Sequence, residues 1–121
     1  MAVVRDVMDM KSREPPDMRV SAPETRGSGP TAYVVYKVQG RDYDGIFEVF
    51  RRFSEFMHFR EFLVNRWPGL YIPPMPSKKT VGKTDINLTE ERTYFLDRFL
   101  KEIATLPYIY EGSEIQLFVR D

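Results

Sequence analysis

The sequence predicts an α+β fold in which short antiparallel strands come first and helices follow, with a proline-rich connector between the helices. Between residues 18 and 51, β-branched and aromatic residues form short runs separated by turns that contain glycine, which is typical of a three-stranded meander. From residue 53 onward, apolar residues recur at steps of three and four, the period of an amphipathic helix. The change of pattern falls inside one segment, Phe50-Arg51-Arg52-Phe53-Ser54-Glu55-Phe56.

Length and composition indicate one folded domain. The chain has 121 residues, of which 42% are hydrophobic and 14% aromatic, enough for a single core and too much for a disordered chain. Its 18 basic and 18 acidic residues give a formal net charge of zero. A preference for anions must therefore come from local clusters of positive charge, because the whole chain has no field that attracts nucleic acid or an anionic membrane.

The residue types argue against an enzyme and against a cofactor. The chain has no cysteine, which excludes disulfides and thiolate metal sites, and its one histidine, His58, lies in a helical pattern without paired carboxylates. The N-terminus has no apolar core of signal-peptide length, and no apolar run approaches the roughly 18 residues that span a bilayer. We therefore expect a soluble binding domain with no cofactor and no metal.

Three strands are predicted before the change of pattern. We expect the first at residues 18–22, ended by Pro23, the second at residues 33–38 and the third at residues 46–51. Short turns join these runs, so neighbouring strands should pair antiparallel.

The arginine doublet at the end of the third strand is the first candidate for an anion site. A guanidinium keeps its charge in any protein environment, and its planar fork matches the oxygens of a phosphate. Because side chains on a strand alternate between faces, Arg51 and Arg52 should diverge unless the strand ends between them, so that only one of them faces a given pocket.

Two long helices and a short one are predicted after the strands. The first occupies residues 53–67, with Ser54 as its N-cap. The second runs over residues 87–106 and begins with the spacing of a capping box. A short helix is expected at residues 114–119, with Ile115, Leu117 and Phe118 turned partly inward.

The connector between the long helices combines proline with lysine. Residues 70–76 should be extended, because proline fixes φ and restricts the residue before it. Residues 77–83 then carry three lysines and no acid. Cationic and aromatic side chains thus lie near the ends of predicted helices and strands at three places: Arg52-Phe53, Lys78-Lys79 and Arg92. Side chains in such positions can converge on one pocket.

These segments, in this order and at these separations, resemble the phox-homology (PX) domain, and most closely that of the sorting nexins. The resemblance rests on Arg51-Arg52-Phe53-Ser54-Glu55-Phe56, on Ile72-Pro73-Pro74-Met75-Pro76-Ser77-Lys78, and on Glu90-Glu91-Arg92 ahead of an apolar helix. It covers residues 17–121, and residues 1–16 would be a flexible N-terminal arm or linker. It implies a three-stranded antiparallel sheet packed against a helical subdomain, with the proline-rich connector as one wall of a phosphoinositide pocket.

The resemblance also implies a role for each site residue. Arg52 matches the arginine that binds the 3-phosphate. Phe53 matches the aromatic residue that stacks under the inositol ring, a position that is more often tyrosine. Lys78 matches the lysine that reaches the 1-phosphate, and Arg92 matches the arginine that hydrogen-bonds the 4- and 5-hydroxyls. Arg51 would be its outward or structural neighbour. An arginine on those hydroxyls leaves little room for further phosphates, which favours phosphatidylinositol 3-phosphate as the ligand.

Membrane attachment is implied as well. Lys79, Val81 and Lys83 would approach the bilayer, where each lysine near an anionic surface contributes about 1 kcal/mol. The implied function is that of a non-enzymatic lipid-binding module in a sorting-nexin-like trafficking protein. That protein would be cytoplasmic and peripheral on early endosomal or vacuolar membranes.

Three other interpretations stay open. Residues 73–78 have a polyproline spacing followed by a basic residue, which fits a segment that SH3 domains bind, so the main alternative is a protein-interaction module with weak or no lipid binding. Nucleic-acid binding through arginine and exposed aromatic residues is disfavoured by the zero net charge, and we expect no nucleic-acid partner. Phosphorylation of Ser54 would place negative charge beside Arg52 and compete with the lipid phosphate.

Overall fold

The computed structural model describes residues 16–75, 86–110 and 112–120. Within these ranges, three strands form one antiparallel sheet whose spatial order follows the chain: β1 (Asp17–Arg26), β2 (Tyr33–Asp42) and β3 (Gly45–Arg52). A 3-10 helix (Gly29–Thr31) lies between β1 and β2, and the α-helices of the same ranges come after the sheet: α1 (Phe53–Arg66), α2 (Ile86–Ala104), α3 (Pro107–Tyr110) and α4 (Ser113–Arg120). The predicted α+β class, with a three-stranded antiparallel sheet beside helices, is confirmed.

The β2–β3 hairpin sets which side chains share a face of the sheet. Its turn consists of Tyr43-Asp44 alone, so both strands extend further toward the turn than the sequence predicted. The register pairs Tyr36 with Arg51 and Val35 with Arg52. The two arginines therefore lie on opposite faces, as the alternation of a strand predicts.

The first strand is longer than predicted. It does not end at Pro23 but continues to Arg26, after a register shift between Ser21 and Glu24 at which Ala22 adopts a φ of 47°. Such a bulge releases a residue from the pairing ladder, and β1 is an edge strand, where a proline without an N–H is tolerated. The expectation that proline stops this strand was wrong for that reason.

Helix α1 begins without a connecting loop. Arg52, the last residue of β3, occupies the N-cap position, and its backbone N–H donates to Glu55 Oε1 at 2.9 Å. Ser54 lies inside the first turn, so the prediction that it caps the helix was wrong. Because strand and helix are contiguous, the cap falls on the last strand residue, and the carboxylate three positions later satisfies its N–H.

The core lies between one face of the sheet and the helices. Its largest fully buried side chains come from β2, α1, α2 and α4: Tyr36, Phe56, Leu63, Leu96, Phe99, Leu100 and Ile115. Among the described helices, none is both long enough and apolar enough to cross a membrane.

Helix α4 closes this core over α1. The Phe118 ring stacks on Phe59 with centroids 4.6 Å apart and meets Phe56 edge-on at 5.0 Å. Leu117 is 61% exposed, so the prediction that it turns inward was wrong. The inward positions one helical turn apart are taken by Ile115 and Val119, which leaves Leu117 on the far side.

Candidate functional site

The Arg51-Arg52 doublet divides into a structural arginine and an exposed one. Arg51 Nε donates to the carbonyl oxygen of Phe118 at 2.9 Å, and its Nη2 donates to that of Leu117 at 3.2 Å. Its Nη1 lies 3.4 Å from Glu55 Oε2. Every arm of the Arg51 guanidinium is therefore engaged within the protein, which agrees with the structural role expected for it.

Arg52 lies on the opposite face of the sheet and is exposed. Its guanidinium carbon lies over the Tyr33 ring, 4.5 Å from the ring centroid. Within the part of the chain that the structure describes, this guanidinium forms no hydrogen bond and no ion pair. Its N–H groups are thus available to an external acceptor, beside the start of α1.

Phe53 and Arg92 are brought together from α1 and α2. The Arg92 guanidinium carbon lies 3.8 Å from the centroid of the Phe53 ring. Phe53 is 6% exposed and Arg92 is 4% exposed, so only the margins of both side chains reach solvent. A buried cation on an aromatic face is a strong form of cation–π contact. The stack joins two residues that the sequence analysis assigned to one site.

Tyr36 lies beneath this stack. Its side chain is fully buried, and burial raises the pKa of its hydroxyl, while the nearby positive charge of Arg92 opposes that rise. Tyr36 therefore forms part of the floor under Arg92, on the core-facing side of β2.

Arg60 holds the beginning of the proline-rich connector against α1. Its Nε donates to the carbonyl oxygen of Pro73 at 2.8 Å and its Nη2 to that of Ile72 at 3.2 Å. Two successive backbone carbonyls are thus bound by one planar fork. This fixes the path along which the connector leaves α1.

Comparison with known proteins identifies the fold and its family. A family profile described as "PX domain" matches residues 42–121. The chain belongs to the PX domain family. This PX domain is 32% identical over 108 residues to "Sorting nexin 1" of Arabidopsis thaliana, covering 84% of this chain and 27% of the relative. It is 30% identical over 111 residues to "Sorting nexin-3" of Aspergillus oryzae, covering 87% of this chain and 78% of the relative.

A solved structure supports the same assignment at the level of the fold. A designed CISK-PX domain superposes with a TM-score of 0.78 at 24% sequence identity, covering 87% of this chain and 99% of that one. The resemblance to PX domains of the sorting-nexin type is therefore confirmed. The chain spans about a quarter of the Arabidopsis relative, so that relative contains much sequence outside its PX domain.

The lysines predicted for the site of this PX domain lie outside the described residues. Lys78, Lys79, Val81 and Lys83 all fall between residues 75 and 86. Their assignment to the 1-phosphate and to the bilayer stays a prediction. Of the four predicted headgroup residues, the structure describes Arg52, Phe53 and Arg92.

Sequence reasoning missed three residues that support the site of this PX domain: Tyr33, Tyr36 and Arg60. Tyr33 could have been found from the sequence. A two-residue turn between β2 and β3 sets the pairing of the two strands, and this pairing places Tyr33 on the same face of the sheet as Arg52. No such signal existed for Arg60, since its acceptors belong to a distant irregular segment.

The PX domain also has a groove of about 870 Å³ at the other end of the sheet. It is lined by the start of β1, the β2–β3 hairpin and the end of α2, including Arg41, Ile46 and Lys101. Lys101 is paired with Asp97 at 2.8 Å. Of the predicted headgroup residues that the structure describes, Arg52, Phe53 and Arg92, none lines this groove, so it is separate from the candidate site.

Proposed function

We propose that this PX domain binds phosphoinositide headgroups, prefers phosphatidylinositol 3-phosphate, and attaches a sorting-nexin-like trafficking protein to endosomal or vacuolar membranes. The observation that carries the proposal is the exposed Arg52 guanidinium, held over Tyr33 directly before the Phe53–Arg92 stack. A phosphate bound there would meet an arginine fork at the end of a strand, with an aromatic residue next to it in the chain.

The contrast among the arginines supports this role for Arg52. Arg51 and Arg60 donate to backbone carbonyls, and Arg120 donates to Asp42. Arg52 differs from these three because its side chain has no acceptor among the described residues. Other exposed arginines, such as Arg98, share that property, so the position of Arg52 next to Phe53 is what sets it apart. A charge-assisted hydrogen bond contributes about 1.5–3 kcal/mol, so two bonds to one phosphate contribute about 3–6 kcal/mol, which alone corresponds to dissociation constants from several millimolar to roughly tens of micromolar.

The enclosure of Arg92 supports a preference for a headgroup without phosphates at the 4- and 5-positions. Arg92 is held against Phe53 at 3.8 Å and is 4% exposed. In the proposed complex its guanidinium edge donates to the 4- and 5-hydroxyls, and a phosphate at either position would collide with this fixed wall. Lys78 would reach the 1-phosphate.

Membrane attachment follows from the headgroup together with the connector. Lys79, Val81 and Lys83 supply the proposed bilayer contacts, each lysine contributing about 1 kcal/mol near an anionic surface. The zero net charge of the chain means that recognition of the headgroup, not bulk attraction, selects the membrane. The trafficking role is supported by the sorting-nexin names of the relatives.

The alternative of a protein-interaction module that binds SH3 domains through the prolines is less well supported. Ile72 and Pro73 are buried, and Arg60 engages both of their carbonyls. A polyproline ligand must present this segment freely to a groove on its partner. The lipid experiment below also decides this alternative, because such a module would show weak or no lipid binding.

The test is sedimentation with liposomes that carry each phosphoinositide in turn. Wild type should pellet with phosphatidylinositol 3-phosphate and much less with the 4-phosphate, the 3,5-bisphosphate or plain phosphatidylcholine. Arg52→Ala should reduce that binding at least about tenfold, since one charge-assisted contact exceeds 1.4 kcal/mol. Arg98→Ala, which removes an exposed arginine elsewhere on α2, serves as the matched control.

Circular dichroism should show that Arg52→Ala keeps the fold, and calorimetry with a soluble short-chain 3-phosphate lipid should reproduce the loss of affinity. Equal binding by wild type and Arg52→Ala would refute the assignment of Arg52. Absence of lipid binding by folded wild type would favour the protein-interaction alternative.

A further inference from the structure

Two stacks of arginine on an aromatic ring lie on the face of the sheet opposite the buried Tyr36. In one, the Arg52 guanidinium carbon lies 4.5 Å from the Tyr33 centroid, and in the other, that of Arg26 lies 4.8 Å from the Phe50 centroid. The register accounts for both, because Arg26 pairs with Tyr33 across the first two strands, while Phe50 and Arg52 alternate with Arg51 along β3.

The two stacks differ in charge compensation. Arg26 Nη2 has an acid nearby, with Glu24 Oε2 at 3.8 Å. For Arg52, the ring of Tyr33 is the described contact of the guanidinium, and no acceptor is bound. Arg52 is therefore oriented by a ring that leaves its charge uncompensated.

An aromatic face orients a guanidinium without consuming its donors. The attraction arises from the ring quadrupole, and the ring face has no lone pair that accepts a conventional hydrogen bond. The N–H groups of Arg52 thus stay available to phosphate oxygens. A long exposed side chain that is already ordered also loses less conformational entropy when it binds.

We propose that Tyr33 is a positioning residue for the headgroup phosphate, because its ring holds the Arg52 guanidinium in the orientation that the phosphate binds. This inference rests on the proposed function, and it adds a residue from β2 to the described part of the candidate site, which otherwise comes from β3, α1 and α2. The ring, and not the tyrosine hydroxyl, is the part that acts.

The experiment measures the dissociation constant for a soluble short-chain phosphatidylinositol 3-phosphate by calorimetry. Tyr33→Leu removes the aromatic face and should weaken binding about three- to tenfold, the range of an exposed to partly desolvated cation–π contact. Tyr33→Phe keeps the ring and should stay within about twofold of wild type. Phe50→Leu removes the other stack on the same face and should leave affinity unchanged. Tyr33→Met, of similar volume but without a ring, replaces Tyr33→Leu if that variant does not fold.

An NMR measurement adds a readout that a purely structural role would not change. The Arg52 Nε–Hε resonance should carry a ring-current shift in wild type and in Tyr33→Phe, and lose it in Tyr33→Leu or Tyr33→Met. If wild type binds, Arg52→Ala does not, and Tyr33→Leu binds like wild type, the role of Tyr33 is refuted while the proposed function stands. If folded wild type does not bind the lipid, both are refuted.

Discussion

Arg51 Nε lies 2.9 Å from the carbonyl oxygen of Phe118, which joins the end of β3 to the last turn of α4. Its neighbour Arg52 points to the opposite face and makes no comparable bond among the described residues. Two identical residues, adjacent in the chain, thus have separable roles.

Substitution of each arginine should therefore give opposite results. Arg51→Ala should lower the free energy of unfolding by about 2–3 kcal/mol, because it removes the charge-assisted hydrogen bonds to the carbonyl oxygens of Phe118 and Leu117. Arg52→Ala should change it by less than about 0.5 kcal/mol, as expected for an exposed side chain. Urea denaturation at pH 7 measures both. Equal losses for the two variants would contradict this division.

Asp42 should make the stability of the domain fall in acid. Its side chain is 1% exposed, and it accepts hydrogen bonds from Arg120 and, at 2.5 Å, from the Tyr110 hydroxyl. Burial alone would raise the pKa of the Asp42 carboxyl, but the hydrogen bonds from Arg120 and Tyr110 outweigh it and hold that pKa below its ordinary value. The stabilisation is therefore complete above the unfolded-state pKa of about 3.9 and is lost as the pH falls through the lower folded-state value.

Asp42→Asn tests this pH dependence. At pH 7 the variant should be less stable by about 3 kcal/mol, because it breaks a buried ion pair while keeping the shape of the side chain. Below about pH 4 the gap to wild type should narrow, since the carboxyl of the unfolded wild-type chain takes up a proton there, while that of the folded protein does so only at lower pH. Urea titrations at pH 7, 5, 3.5 and 2.5 give the gap directly. A gap that stays constant across this series would show that the carboxylate charge contributes nothing.

Gly40→Ala should destabilise the sheet by collision. A methyl group at Gly40 would come within 2.2 Å of the Asp17 carbonyl oxygen and 2.8 Å of both the Met18 Cα and a Phe47 ring carbon. Two of these atoms belong to the backbone, so relief requires the paired strands to separate, and we expect a loss of at least about 3 kcal/mol. Gly45→Ala is the contrast, because no described atom lies within 4 Å of a methyl group added there. Its φ of +113° is then what opposes a side chain. That variant should lose about 1–2 kcal/mol in thermal or urea unfolding.

Arg60→Lys should weaken headgroup binding with little effect on the fold. A lysine keeps the charge but has a single ammonium in place of the fork that reaches the carbonyls of Ile72 and Pro73. The connector should then be held less firmly, with faster amide hydrogen exchange at Ile72 and Met75 and an affinity reduced about three- to tenfold, as for loss of one to two hydrogen bonds. Arg66→Ala, which removes an arginine that lies over the Trp67 ring, is the control. Unchanged exchange together with unchanged affinity would rule out a positioning role for Arg60.

The sequence predicted the features that depend on local pattern. The alternation of β-branched residues located the strands, and the return of Phe53, Phe56, Phe59 and Leu63 at helical spacing located the buried face of α1. The divergence of Arg51 and Arg52 followed from the same local geometry. These features need no knowledge of which distant segments come together.

Features that depend on distant partners were missed or misplaced. Pro23 is compatible with β1 only because that strand is at an edge and bulges, which the sequence of the strand does not encode. Leu117 is as apolar as Ile115, and the packing of α4 on α1 decided which of them is buried. The acceptors of Arg60 are backbone carbonyl oxygens, which every residue has, so the residue types in the sequence do not indicate this contact.

The continuity of β3 and α1 limits how this domain can vary. With no loop between strand and helix, one inserted residue would rotate all of α1 by about 100° and carry Phe56 and Phe59 away from α4. Insertions and deletions can therefore be tolerated in the connector after Pro73, but not at the junction of β3 and α1, which contains Arg51 and Arg52. Proteins of this architecture are thus expected to alter their ligand preference by exchanging side chains at the junction, and to differ in chain length at the connector.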